Sequence, residues 1–380
     1  LSQSQNAFSR LLATHVEVAI LIWLPSITLV VWMRIANIAD KISNRYAFII
    51  ALCTSLLILT GLFSSASVTL SDYFPVIQQP LFIFAMLGIC LTMISAAIII
   101  LIRMKVCSHW IGILSTLTTL VAMVLLTLGL AFSVFDNWEH ASYLFWVSGH
   151  VYQLALVYTL CLFWLGASHP QQKFSFALKI IWSLPLLVHV LAIVLSIANV
   201  DHMISKNIFT AVMEFCSWWP VIFCANRALK TANSDTKNAL ILSMGLFVLA
   251  IIFGFLIKPS TLIIPAHYHA VLSALNVGAF YYLLTAKVLS SNRQVLAYGV
   301  GMALLASGIG VAGILGEARK IATSISWTDF SSIALVIASI GGIIALIASL
   351  MIAISLIKMN PLSRSAVTTF ISKGYINNGQ

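Results

Sequence analysis

His267 and His269 stand in the segment IIPAHYHAVLSALNVGAFYYL, two imidazoles separated by one residue inside an apolar run. On a helix turning about 100° per residue their rings point roughly 200° apart, to nearly opposite sides. One such helix offers a ligand to each of two metal centres. Ionisable groups inside a bilayer are costly and mark functional sites by default, and neutral imidazole is the commonest metal ligand among side chains.

Three more histidines fall well inside apolar runs: His15 in ATHVEVAIL, His150 in FWVSGHVYQLAL and His189 in LPLLVHVLAI. The other four, His109, His140, His169 and His202, lie near run ends or in connections and read as interfacial. Glu17 and Glu214 are the main carboxylates within apolar segments. Glu214 reads equally as a proton relay or metal-site acid and as a group at the mouth of an aqueous cleft or paired with a neighbouring helix. Arg319 and Lys320 form a basic pair just past an apolar run, either an interfacial anchor or a clamp for an anion.

The elements that must position these groups follow from composition. The chain has 380 residues, 61% hydrophobic and 8% charged, which excludes a soluble core and defines an all-α, polytopic transmembrane helical bundle. Apolar runs of about 20 residues predict eleven spans, at 9–35, 46–66, 79–103, 109–135, 138–167, 175–199, 205–229, 237–257, 261–288, 295–316 and 329–358. No connection is long enough for a second domain, so residues 1–380 read as one transmembrane unit. The net charge of +10 does not indicate nucleic acid, because its positions collect in the connections on one side. With the N-terminus outside, fifteen Lys and Arg fall on one side, Arg34, Arg103 and Lys179 among them, against five on the other. That bias predicts an inside C-terminus and, in a bacterium, the inner membrane.

The six cysteines are scattered without a CxxC, so neither a disulfide framework nor a zinc site is indicated. Residues 1–8 lack the basic region of a signal peptide. The glycine series Gly308, Gly310, Gly313 and Gly316 predicts close helix packing. No continuous polar file crosses the inner half of the spans, so proton pumping is not expected.

Topology and helical rise together give depths. At 1.5 Å per residue His15 lies roughly 10 Å, and His267 and His269 roughly 10–13 Å, from the outer ends of their spans. His150 and His189 come out at roughly 15–18 Å from the same face. Five histidines therefore share the outer half of the membrane, although only Lys and Arg entered the topology. A shared layer of imidazoles predicts metal cofactors.

The pattern resembles subunit I of the haem-copper oxidoreductase superfamily, the terminal oxidases and nitric oxide reductases. The resemblance runs through most of the chain by helix order, with the family's first helix missing, and its specific motifs are short. ATHVEVAILIWLPSITLVVWM resembles the family's second helix, which implies that His15 ligates a low-spin haem. FWVSGHVYQLALVYTL resembles the sixth, which implies that His150 begins the non-haem metal site. IIPAHYHAVLSALNVGAFYYL resembles the tenth, which implies a high-spin haem on His267 and the low-spin haem on His269. GEARKIA resembles the basic pair over the haem propionates and assigns that role to Arg319 and Lys320.

The departures are informative. Where the family has two adjacent histidines on its seventh helix, VHVLAI offers only His189. Gln153, one turn beyond His150, shares its face and is the candidate third ligand or hydrogen-bond partner. Two nitrogens and one amide oxygen suit iron better than Cu(I), leaving the metal as Fe or Cu. The oxygen-reducing members carry a tyrosine four residues after the sixth-helix histidine. Leu154 stands there, with Tyr152 and Tyr158 out of phase. Reduction of two NO molecules by two electrons cleaves no O–O bond and needs no such tyrosine, so the resemblance implies a nitric oxide reductase-like enzyme. Tyr152 and Glu214 are its candidate catalytic groups.

Two haems and one non-haem metal are the implied cofactors. No CxxCH haem-attachment motif is present, so electrons are expected from a cytochrome c subunit, a soluble cytochrome or cupredoxin, or quinol. Membrane lipid and a further membrane subunit are the other expected partners. An O2-reducing terminal oxidase, or an electron-transfer or sensor subunit without the second metal, are the alternatives. A haem-handling protein fits less well, since such proteins repeat their histidine pairs.

Overall fold

The computed structural model describes residues 2–36, 38, 40–69, 74–104, 110–135, 137–165, 175–197, 207–212, 218–258, 260–318 and 329–358. Among them the protein is mainly helical, with one hairpin of two-residue strands and an isolated bridge between Thr261 and Ala318. Helix α1 (Ser2–Glu17) passes through a π-helical turn (Val18–Trp23) into α2 (Leu24–Ile35). Then come α3 (Asp40–Phe63), the strands β1 (Val68–Thr69) and β2 (Val76–Ile77), α4 (Pro80–Arg103), α5 (Trp110–Val134), α6 (Trp138–Leu165) and α7 (Phe176–Ile197). They are followed by α8 (Trp219–Thr231), α9 (Ser234–Phe255), α10 (Ile263–Thr285), α11 (Asn292–Ile314) and α12 (Phe330–Ile357).

Among the described residues nine helical segments are long and apolar enough to cross a membrane, and they coincide with nine of the eleven expected spans. The protein is thus a polytopic helical membrane protein. The expected span at 205–229 corresponds to a helical turn at 207–212 and to α8, with 213–217 outside the described residues. The expected span at 261–288 is present as the 23-residue α10, but His267, Tyr268, His269, Ser273 and Asn276 dilute its hydropathy. Its apolar surface is turned to protein instead, with Ala266, Ala270, Ala274 and Val277 fully buried.

The chain forms two compact units. The first comprises Leu1–Thr159 with Pro170–Pro220, and the second Leu160–His169 with Val221–Gln380. In the first unit the π turn precedes Pro25, which has no N–H for the ladder. The N–H of Leu24 reaches back five residues to Ala19 O, re-routing the bonds around the proline. Thr14 seats against Gly61 of α3, where a side-chain carbon would collide with the Thr14 hydroxyl. That contact fixes the rotation of α1 and turns His15, one residue on, away from it. Helices α5 and α6 run antiparallel in a register set by two hydrogen bonds, Ser115 Oγ to Ala155 O at 3.5 Å and Ser148 Oγ to Ala122 O at 2.7 Å.

The second unit is built on small residues. A methyl group on Gly308 would lie 2.4 Å from Ala334 O, one on Gly301 2.7 Å from Gly341 O, and one on Gly313 2.4 Å from Ile263 N. The expected close packing of the glycine series is present at Gly308, Gly310 and Gly313. Gly316 serves otherwise: its φ of 99° ends the turn after α11 in a conformation open to glycine. Helix α12 buries Ala334, Ala338, Gly341, Ala345 and Ala348 and exposes Ile340, Ile347 and Ile354, seven apart. Small residues inward and large ones outward is the polarity of a helix in lipid, where close backbone approach replaces the hydrophobic drive.

Candidate functional site

His150 and His189 both lie in the first unit. His150 is 8% exposed and His189 fully buried, and both rings border Phe209, with centroids 6.3 and 6.2 Å from its ring. Each Nδ1 faces a carbonyl one turn back: Trp146 O at 2.8 Å from His150 and Pro185 O at 2.7 Å from His189. A carbonyl oxygen only accepts, so each Nδ1 carries the proton, and in the neutral ring Nε2 holds the lone pair. This is the outer hydrogen bond that fixes tautomer and orientation in ligating histidines. The Trp146 ring packs 3.8 Å from the His150 ring and restrains it further.

Gln153 is half-buried on α6, one turn from His150. Tyr152 is 2% exposed, and no hydrogen-bond partner for its hydroxyl exists among the described residues. Leu154 is fully buried, and the Tyr158 hydroxyl donates to Trp182 O at 2.6 Å. His15 is exposed on α1. Two residues later Glu17 is fully buried, both carboxyl oxygens without a partner among the described residues.

In the second unit His267 and His269 lie half-buried in the first half of α10. His267 places Nδ1 2.8 Å from Ala250 O on α9, so it too is an Nδ1–H tautomer. Gly254 makes this possible: a methyl group there would stand 3.3 Å from His267 Cε1 and Nδ1. The floor beneath His267 is the cluster of Ala250, Phe253, Ile263, Ala266, Ala270 and Ala306. His269 O accepts the Ser273 hydroxyl. Lower on α10, Ser243 donates to Ala274 O at 2.6 Å and accepts Trp164 Nε1 at 2.8 Å. This tie holds α10 against α9 and fixes the height of its histidines.

Glu214, Arg319 and Lys320 lie outside the described residues. Just before the basic pair, Leu262 N donates to Glu317 O at 2.9 Å and Thr261 bridges to Ala318, joining the start of α10 to the end of α11. Among the described residues no group of three or more His, Cys, Asp and Glu side chains is arranged to hold a metal. The Gln153 amide falls outside that set of donors.

The sequence alone does not single out Phe209, Trp146, Ala250 and Gly254. Trp146 had a signal in its place four residues before His150. The carbonyl of Ala250 had none, because backbone acceptors are present at every position. Protein-family models give no match to this chain, and no curated protein matches it.

Proposed function

We propose that this protein is the haem-carrying subunit of a membrane oxidoreductase that reduces nitric oxide, related in plan to subunit I of the haem-copper oxidoreductases. The observation that carries the reading is the common tautomer of His150, His189 and His267, each giving Nδ1–H to a backbone carbonyl. A backbone carbonyl sets this tautomer in any neutral histidine it meets, and a ligand gains basicity and a fixed orientation from it.

His267 is assigned to a high-spin haem, His15 and His269 to a low-spin haem, and His150 and His189, with Gln153 as candidate third donor, to a non-haem Fe or Cu. Imidazole is a ligand for each of these groups, and the ring of His15 is exposed. When bound, the haems and the metal would supply electron storage and a site for a diatomic ligand. The chain's own part is to hold the imidazoles in one tautomer and to exclude water around Phe209. NO is favoured over O2 because the position four residues past His150 is the buried Leu154, while Tyr158 is engaged with Trp182. Two NO, two electrons and two protons give N2O and water.

The N-terminus is assigned to the outside and the C-terminus to the inside of a bacterial inner membrane, on the distribution of Lys and Arg. The donor would be a cytochrome, a cupredoxin or quinol. A second reading, an electron-transfer subunit without the non-haem metal, is favoured by one observation: VHVLAI offers the single histidine His189 where the resemblance implies an adjacent pair. Metal analysis beside NO and O2 consumption tests the choice. Fe or Cu beyond the haem iron, with NO turnover, supports the enzyme; two haems alone support the second reading.

A further inference from the structure

Four of the six cysteines lie in described helices, all of them as free, buried thiols. In the first unit Cys53 seats its sulfur against Gly88, where an added side-chain carbon would come within 2.8 Å of it, and Cys90 lies against Thr127. Those two serve the packing of their helices. The other two meet each other.

Cys161 on α6 and Cys224 on α8 both belong to the second unit. Cys161 is fully buried and Cys224 is 2% exposed. The Cys224 thiol donates to Cys161 O at 3.3 Å, and the two thiols are hydrogen-bonded to each other. Each helix presents its cysteine for a local reason. Val221, Cys224 and Ala228, spaced three and four apart, form the buried stripe of α8. One turn beyond Cys161, Trp164 donates to Ser243 Oγ at 2.8 Å and pins the end of α6. No role above uses either sulfur.

Paired thiols are soft ligands, and the number of donors decides which ion they suit. Among the described residues no His, Asp, Glu or further Cys joins the pair as a third ligand. Structural zinc takes four ligands, and iron–sulfur clusters take four cysteines. Of the soft ions that thiolates select, Cu(I) is the one held by two of them in line. We infer that Cys161 and Cys224 form a two-coordinate Cu(I) site in the second unit. Binding replaces two S–H bonds with two S–Cu bonds and releases two protons; copper enters and stays as Cu(I), so no electron moves. The complex carries one negative charge, and Arg227, one turn beyond Cys224, is the nearest charge along α8. The site shares no residue with the haem and non-haem assignments above and does not depend on them.

The test offers Cu(I), as its bathocuproine disulfonate complex and without oxygen, to the reduced, purified full chain. One Cu(I) per chain should transfer with a near-ultraviolet thiolate-to-copper band. The band should be lost in C161S and in C224S and kept in H189A, which separates the pair from the non-haem metal. An equal amount of Zn2+ should not displace it. X-ray absorption at the copper edge of the wild-type chain needs no variant and should show a sulfur shell. No transfer, a band retained in the C161S/C224S double variant, displacement by zinc, or a copper shell of nitrogen and oxygen alone would overturn the site.

Discussion

His267 gives its Nδ1 proton to Ala250 O, 2.8 Å away on α9, across the bare backbone of Gly254. The carbonyl already serves the α9 ladder, and a side chain at Gly254 would cover its open flank. An added methyl group at 3.3 Å from the ring forces a shift of a few tenths of an ångström. Gly254→Ala should therefore weaken the CO-sensitive haem band partially, and Gly254→Val should abolish it with the low-spin bands retained. Difference spectra of the two variants check this order.

The Phe209 ring borders both His150 and His189. Removing its ring should leave a cavity and cost about 3 to 5 kcal/mol, the usual range for a buried Phe→Ala change. The milder Phe209→Leu is the useful variant. It should lower the non-haem metal content and NO turnover with both haem spectra preserved, as measured by metal analysis on the purified protein.

Glu17 is a buried carboxyl without a hydrogen-bond partner among the described residues. A polar group in that position costs roughly 1 to 3 kcal/mol. Glu17→Met, similar in volume, should raise the thermal midpoint in detergent. A lowered midpoint would show that the carboxyl is held by an interaction outside the described residues.

Gly308 lets α11 meet the backbone of α12. Its added methyl group would stand 2.4 Å from Ala334 O, a contact relieved only by moving a helix. Gly308→Ala should destabilise the second unit by about 1 to 3 kcal/mol, as overpacking does. Gly245→Ala, where nothing lies within 4 Å of the new methyl group, should be close to neutral. Thermal unfolding of both variants compares them directly.

The sequence carried the fold through its apolar runs because a bilayer imposes length and composition on each span. It carried the packing role of Gly308 and Gly313 for the same reason. The α10 segment reads as a span in sequence, yet it is too polar to be counted among the nine and is covered by protein, since burial by neighbours leaves no signature in a helix's own residues. The histidines were legible as costly groups. That His150 and His189 both border Phe209 was not, because the segment carrying Phe209 begins ten residues after α7 ends.

The reduced-minus-oxidised spectrum of the purified protein, with and without CO, tests the central claim most directly. The account predicts low-spin bands together with a CO-sensitive high-spin haem. His15→Ala and His269→Ala should lose the low-spin bands and keep CO binding, and His267→Ala should lose CO binding. A protein without haem absorbance, or CO binding that survives His267→Ala, would contradict it.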